Sequence, residues 1–500
     1  MKASLSVLLS FVLLAAMNGG AAAPTAAAAP AAETVPNAAI APAPVQFGAN
    51  IELSGSLPAS LFQREPTIAS NPKNPLNLVA GFFGRGVSGG PQNCWFVSTA
   101  DAGTTWTLGG AVPLNGSFDL CADPALAADA KGNFYYSYLN SNITSQGVFR
   151  TNDVRVAKSI DGGKTFPKAV TVVVGGETAG TPLPDKDYIA VDTRPKSPFI
   201  GNIYVTYTDF PATNNLIAVT ISRDSGKTWS APTTLENIDR TRPITAQTWL
   251  TGSQPVVAPD GSVFVFYTRA SQAVGITASI RFVKSKDGGR TWSQPADAAA
   301  NLPTPGFYNL NDGTPTFGTS SGFGVSVTVF PTAAIAPDGT LYVVWTDFPN
   351  GSCTRASVAS SGHPSCVNSD VRLATSTDGG VTWSSPVKVS DDVTSTDQFF
   401  PWIATGPDGL LSLIWLDRRN DPNNVNYDAY YTNTANGRSF LTNVKISSAT
   451  SIVDDTYNGG DYNNLVVTSQ GIFAVWNDTR YLTPDVPNSR VFFAKGVPTP

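Results

Sequence analysis

Residues 285–292 read SKDGGRTW, and the same pattern returns as SIDGGKTF at 159–166, SRDSGKTW at 222–229 and STDGGVTW at 376–383. TADAGTTW at 99–106 follows it with Thr in first place, and NTANGRSF at 433–440 is a decayed copy with Ala435 where Asp is expected. Such repetition marks a repeat architecture. Each copy has the chemistry of a β-hairpin turn: the Asp carboxylate accepts backbone N–H groups, the Gly supplies a positive φ, and the terminal aromatic packs between sheets.

Working outward, a second repeat accompanies these turns. It is an apolar strand, a turn often spelled P-D-G, and a strand rich in Tyr, Val and Trp, as in PVVAPDGSVFVFYTR from Pro255 and PTAAIAPDGTLYVVWTD from Pro331. Equivalent segments start at Pro66, Pro124, Tyr188, Pro401 and Leu465, seven in all, spaced by 58 to 76 residues. That spacing accommodates one four-stranded antiparallel sheet per repeat, the unit of an all-β propeller. After Asp478 only VFFAKGV remains as a further strand, so the last sheet has three strands of its own, and a strand near residues 45–53 is expected to complete it and close the ring.

The composition agrees. Of 37 acidic residues only five are Glu, whereas Gly (44) and Pro (38) are abundant, which argues against helices and for many short strands joined by turns. One histidine, His363, excludes mechanisms that need two, including most zinc hydrolases, and it reads as a surface residue of a cysteine-bounded loop. A net charge of −5 provides no basic surface for nucleic acid. Lys2, an apolar run over residues 5–16 and small residues around 19–23 read as a secretory signal over 1–23, too short for a membrane span. Ala, Pro and Thr dominate residues 24–45, a linker, and 46–500 form one propeller domain of an extracellular protein, expected to be a monomer. Four cysteines in an exported chain suggest two disulfides. Sequence distance favours Cys94 with Cys121 and Cys353 with Cys366 among three connectivities. Sequons at Asn115, Asn142, Asn350 and Asn477 would accept glycans in a eukaryotic source.

Propellers keep their sites where the inner strands begin, at one mouth of the central channel. Aligning the repeats there places Arg64 and Glu65 in the first blade, Asp123 in the second, Lys186 and Asp187 in the third, Phe330 and Phe400 in the fifth and sixth, and Asp461 and Tyr462 in the seventh. An acidic arc with one or two basic residues thus faces an aromatic arc. The acidic arc contains oxygen ligands of the kind Ca²⁺ takes, but no EF-hand-like spacing occurs, no metal site is assigned, and no cofactor is required.

The motif S-x-D-x-G-x-T-W resembles the Asp-box, also called the BNR repeat, of the sialidase (neuraminidase) superfamily, over essentially the whole folded chain. In that family the box lies in outer-strand turns, so Asp161, Asp224, Asp287 and Asp378 are read as structural. The segment at 63–66, QREP, resembles the family's R-I-P, which makes Arg64 the substrate-carboxylate ligand; the segment at 462–465, YNNL, resembles the Y-S-x-L that supplies the nucleophile, here Tyr462. A neutral phenol can approach an anomeric carbon bearing a carboxylate, with a Glu as its base, Glu65 or Glu236 here. The resemblance implies further arginines, with Arg269 and Arg418 the candidates to complete a carboxylate clamp and Arg85 an additional one. Two departures stand out. Residues 81–95 hold no acidic residue where the family has its general acid, leaving Asp123 or Glu65 to replace it, and seven repeats are counted where sialidase domains have six blades.

Three functions follow. The first is a secreted sialidase-like glycoside hydrolase that releases terminal acidic sugars from glycoconjugates: Tyr462 the nucleophile, Asp123 the proton donor, Arg64, Arg269 and Arg418 the clamp. The second is a non-catalytic glycan- or protein-binding propeller using Phe330, Phe400 and Tyr462 as a stacking surface, with Asp187 and Asp461 as polar contacts. The third is a two-carboxylate glycosidase acting on another polysaccharide through Glu65 and Asp123.

Overall fold

The computed structural model describes residues 41–500 except 56, 59–60, 87–91, 118, 146–148, 177–181, 212–213, 240–247, 272–276, 304–315, 318–329, 350–351, 355–364, 454–459, 482–488 and 500. At 86, 149, 271, 277, 316–317, 352–354 and 365–367 only the backbone is described. The signal, most of the linker, His363, Glu177 and the sequon at Asn350 lie outside the described residues.

Seven four-stranded antiparallel sheets form a ring, a β-propeller with the seven blades that the repeat count predicts. The innermost strands are Leu61–Asn71, Leu120–Ala128, Pro184–Val191, Thr248–Val257, Thr332–Ile335, Gln398–Thr405 and Asn464–Thr468. The seventh blade takes three strands from the C-terminus, and Val45–Phe47 pairs with Arg490–Pro498 to complete it, with Val45 opposite Pro498. The chain therefore closes its own ring by hydrogen bonding its two ends. A small sheet of Thr316–Phe317, Ser352–Thr354 and Ser365–Val367 is inserted at the fifth blade.

The second strand of a blade is covered on both faces by neighbouring blades. Ile203–Asp209, Leu341–Asp347 and Leu411–Asp417 are buried at every position, which fits segments rich in Tyr, Val, Ile and Trp with only a few polar residues among them. Fourth strands are short or half-exposed, Val387–Lys388 having two residues and Thr233–Asp239 alternating, so the ring presents little open strand edge.

The turns behave as their sequence demands. In the 285–292 turn, Asp287 Oδ1 accepts the amides of Arg290 and Thr291, each at 2.9 Å, and Oδ2 accepts the Thr291 hydroxyl at 2.6 Å. Gly289 has φ +79°, and a Cβ there would lie 2.2 Å from Ile221 of the preceding blade, so glycine is required twice over. The decayed copy keeps the design with one residue fewer: Asn436, next to Ala435, accepts the amides of Arg438 and Ser439 at 2.8 and 2.9 Å.

Cys94 and Cys121 form a disulfide between the first and second blades. The backbone sets Cys353 opposite Cys366 on paired strands, but their side chains lie outside those described. Asn477 is not the open sequon its sequence suggests: it is 1% exposed, and its amide binds the backbone of Glu65 and Gln63, which closes it to glycosylation in the folded chain.

Candidate active site

One local irregularity builds the site. Five innermost strands shift register at the same place, between Arg64 and Thr67, Ala122 and Ala125, Asp185 and Tyr188, Thr251 and Gln254, and Phe399 and Trp402. The first inserted residue of each bulge is left-handed: Glu65 (φ 56°), Asp123 (φ 49°), Lys186 (φ 47°), Gly252 (φ 69°) and Phe400 (φ 51°). Four non-glycine residues in that region, at roughly 1–3 kcal/mol each, are a strain concentrated where functional sites store it. The bulge re-aims side chains at the end of a strand. Phe330 and Tyr462 precede the inner strands of their blades by the same two-residue offset, completing the ring of positions.

Neighbouring blades are stitched through these residues. Asn477 of blade seven accepts the Glu65 amide at 2.9 Å, Glu65 Oε2 accepts the Asp123 amide at 3.2 Å, and Asp123 Oδ2 accepts the Lys186 amide at 3.0 Å. Tyr462 donates its hydroxyl to the same Glu65 Oε2 at 3.4 Å. Asn463 and Asn464 fasten the tyrosine's strand, Asn463 to the Phe400 carbonyl at 2.9 Å and Asn464 to the Tyr188 hydroxyl at 3.1 Å. The Lys186 ammonium lies 3.6 Å from the centre of the Tyr462 ring and within 5.7 Å of those of Tyr188 and Phe330, an aromatic cage for a cation.

A cavity on the propeller axis is lined by Lys186, Tyr188, Gln254, Phe330, Trp402 and Tyr462, with Phe400 and Asp461 also at its wall. It is narrow, with room for little more than a water molecule. Lys186 and the aromatic arc therefore occupy the space that a sugar ring would need, and a ligand entering there must move Lys186.

Electrostatics follow from crowding acids around a buried phenol. Burial first, then the Asp123 and Asp461 carboxyls, push Glu65 well above the usual carboxylate range, against the pull of Arg64. Burial raises Asp461 to about 6, held down by Lys186. Asp185 is exposed, but the protein atoms crowded around its carboxyl, then the Asp123 charge, raise it to about 7. Burial, and then the Glu65 charge, push the Tyr462 phenol well up, so it is neutral at rest.

The sequence-predicted residues divide accordingly. Tyr462 (3% exposed), Glu65 (9%), Asp123, Arg64, Asp461, Phe330 and Phe400 come together around the axis. Asp187 is fully enclosed, its carboxylate accepting the Ser137 hydroxyl, and offers a ligand no surface. Glu236 lies on the fourth strand of blade three, bound by Arg281 and the Tyr267 hydroxyl of blade four, not beside Tyr462. Arg269 is 44% exposed and 3.8 Å from that same Glu236. Arg418 is 0% exposed and paired with Asp397, and Arg85 is exposed at the far end of its strand. Of the proposed clamp, only Arg64 acts on the acids beside Tyr462; the sequence spacing of Arg269 and Arg418 is met by ion pairs between and within blades. Sequence reading missed Asp185 and the brace of Asn463, Asn464 and Asn477. The bulge was the absent signal: it aligns Asp185 with Arg64, one residue before the position assigned to blade three.

A seven-bladed propeller with buried tyrosine, glutamate and aspartate at its axis has the architecture of glycoside-hydrolase-like propellers. The chain is similar to a curated sialidase of Bacteroides fragilis (strain YCH46), at 25% identity over 306 residues, 52% of this chain and 53% of the relative. It thus spans about half the length of that relative. Among solved structures it is similar to an α-L-arabinofuranosidase of Fusarium graminearum (TM-score 0.47, 13% identity, 76% of this chain and 93% of that one). It is likewise similar to the Hadza microbial sialidase (TM-score 0.42, 15% identity, 85% and 74%). No family model matches the chain.

Proposed function

We propose that the protein is an exported glycoside hydrolase of sialidase type, which releases a terminal carboxylated sugar from glycoconjugates with retention of configuration. The observation that carries the reading is the Tyr462 hydroxyl 3.4 Å from Glu65 Oε2 at a buried channel floor. Tyr462 attacks the anomeric carbon while Glu65 takes its proton; a carboxyl whose proton affinity is raised by burial is the stronger base once ionised. The Asp123 carboxyl, beside Glu65, belongs to the acid of the reaction. Arg64 and Lys186 supply positive charge for the sugar carboxylate, and Lys186 swings from the Tyr462 ring to meet it. Export is supported by the Cys94–Cys121 disulfide, which suits an oxidising compartment. No helix among the described residues is long and apolar enough to cross a membrane.

The two-carboxylate chemistry between Glu65 and Asp123 is the less favoured reading, because Glu65 Oε2 is engaged by the Asp123 amide at 3.2 Å and by the Tyr462 hydroxyl at 3.4 Å, which suits a base for the tyrosine better than a nucleophile. Another polysaccharide remains a second reading on a specific observation: the clamp of three arginines is not assembled, while Tyr188, Phe330, Phe400 and Trp402 form an apolar wall suited to a neutral sugar. The test is turnover of a panel of fluorogenic sialosides, uronides and neutral glycosides by the wild type and Tyr462→Phe. The expected result is hydrolysis of a carboxylated member, falling at least about 10³-fold in the variant. Turnover of neutral members alone transfers the protein to the second reading, and glycan binding with no product from any member makes it a lectin-like propeller.

A further inference from the structure

The acid that sialidase-like chemistry requires is missing from its usual stretch, since residues 81–95 contain no Asp or Glu. A different arrangement occupies the axis. The single amide N–H of Lys186 is 3.0 Å from Asp123 Oδ2 and also 3.0 Å from Asp185 Oδ1. Two carboxyl groups, one from blade two and one from blade three, thus converge on one donor, which sets their nearest oxygens at most about 6 Å apart. Two carboxylates gathered on one donor repel each other, which favours holding one proton between them. Capping a bulge amide needs one acceptor, and Asp123 already provides it; the second carboxyl is surplus to structure. Asp185 also differs in access, being exposed while Asp123 is half-buried and Glu65 is buried.

We propose that Asp123 and Asp185 form one proton-sharing pair that serves as the acid and base of the reaction, with Asp185 the member that meets the leaving group. This rests on the hydrolase reading above. In the first half-reaction the bond from the anomeric carbon to the leaving oxygen breaks, Asp185 gives its proton to that oxygen, Tyr462 bonds to the anomeric carbon, and its phenolic proton passes to Glu65. In the second, water loses a proton to the Asp123–Asp185 pair as its oxygen bonds to the anomeric carbon, the bond from that carbon to the tyrosine oxygen breaks, and Glu65 returns the proton to Tyr462. Both half-reactions balance and restore the starting protonation. The charged groups facing the pair are Glu65 from blade one, Asp461 from blade seven and Lys186 on the strand of Asp185, so the pair is flanked by acids on two sides and one ammonium on the third.

The test compares leaving groups. For Asp185→Asn in the full chain, kcat/KM is expected to fall about 10²–10³-fold on a saccharide-linked substrate, whose alkoxide needs protonation, and less than about tenfold on the 4-methylumbelliferyl glycoside, whose phenolate does not. Asp123→Asn is expected to show the same signature. An equal fall on both substrates means a structural role, and no fall means no role; either overturns the proposal. The signature in Asp123→Asn alone also overturns it, because Asp123 then acts without a partner. A wild type inert to every glycan sinks the hydrolase reading, while an active wild type with an indifferent Asp185→Asn sinks the pair and leaves that reading standing.

Discussion

Asp287→Ala separates the structural aspartates from the chemical ones. Asp287 accepts four hydrogen bonds: from the amides of Arg290 and Thr291 and the hydroxyl of Ser285, each at 2.9 Å, and from the Thr291 hydroxyl at 2.6 Å. These lie at the protein surface, where water replaces part of what is lost, so each contributes at the lower half of the usual net range and the set is worth about 2–4 kcal/mol. The turn also holds Gly289 against Ile221 and Trp292 against the core between blades three and four, so its loss loosens a blade contact. With about 2.1 cal/mol/K of unfolding entropy per residue, a ring of this size shifts its midpoint by roughly 1 °C per kcal/mol, hence by about 2–4 °C. The assay is scanning calorimetry alongside steady-state turnover. Asp287→Ala is expected to melt earlier with kcat within twofold of wild type, and Asp287→Asn to recover part of the stability. A variant that melts like wild type but has lost turnover would refute the assignment of these turns to architecture.

Cys94→Ser with Cys121→Ser should cost about 3.5 kcal/mol by chain entropy, from a separation of 27 residues, and chemical denaturation of the double variant measures it. Two sets of carboxyls titrate in opposite senses. Hydrogen bonds lower Asp101, Asp224, Asp287 and Asp378 to about 2, so their stabilisation is present above the unfolded value near 4 and is lost as pH falls toward 2. Asp461, raised to about 6, and Asp185, raised to about 7, favour the folded state below pH 4 and lose that contribution as pH rises through 6–7. The melting temperature against pH should therefore fall on both sides of a weakly acidic maximum. Ionisation of Asp461 and Asp185 also makes the mouth repel an anionic sugar, so KM for a carboxylated substrate should rise above pH 7 while a neutral ligand is unaffected. Lys186→Gln should raise KM for the carboxylated substrate by tenfold or more.

Much of the fold was legible because its information is local. An eight-residue turn spells out its own hydrogen bonds, and the second strands rich in Tyr, Val and Trp, such as IYVTYTD at 203–209, recur beside it in every repeat. Ring closure was legible from the missing fourth strand of blade seven. At the axis, Tyr462, Glu65 and Asp123 were legible as neighbours because inner-strand starts converge. Glu236, Arg269 and Arg418 do not gather with Tyr462: their selection rested on residue type and chain order, whereas the partners they meet, Arg281 and Asp397, come from strand pairing across blades and loops far apart in sequence. Asp185 escaped for a smaller reason: a two-residue bulge displaces alignment by one, and only backbone conformation reveals it.

The central claim is that Tyr462 is the nucleophile of a retaining hydrolase. Incubation with a fluorinated sialosyl fluoride, which forms the glycosyl-enzyme rapidly and releases it slowly, followed by peptide mass spectrometry, tests it directly. One added sugar is expected on the peptide containing Tyr462, absent from Tyr462→Phe. A sugar attached instead to Glu65, Asp123 or Asp185, or an enzyme that turns over its substrate by inversion without acquiring any adduct, would contradict it.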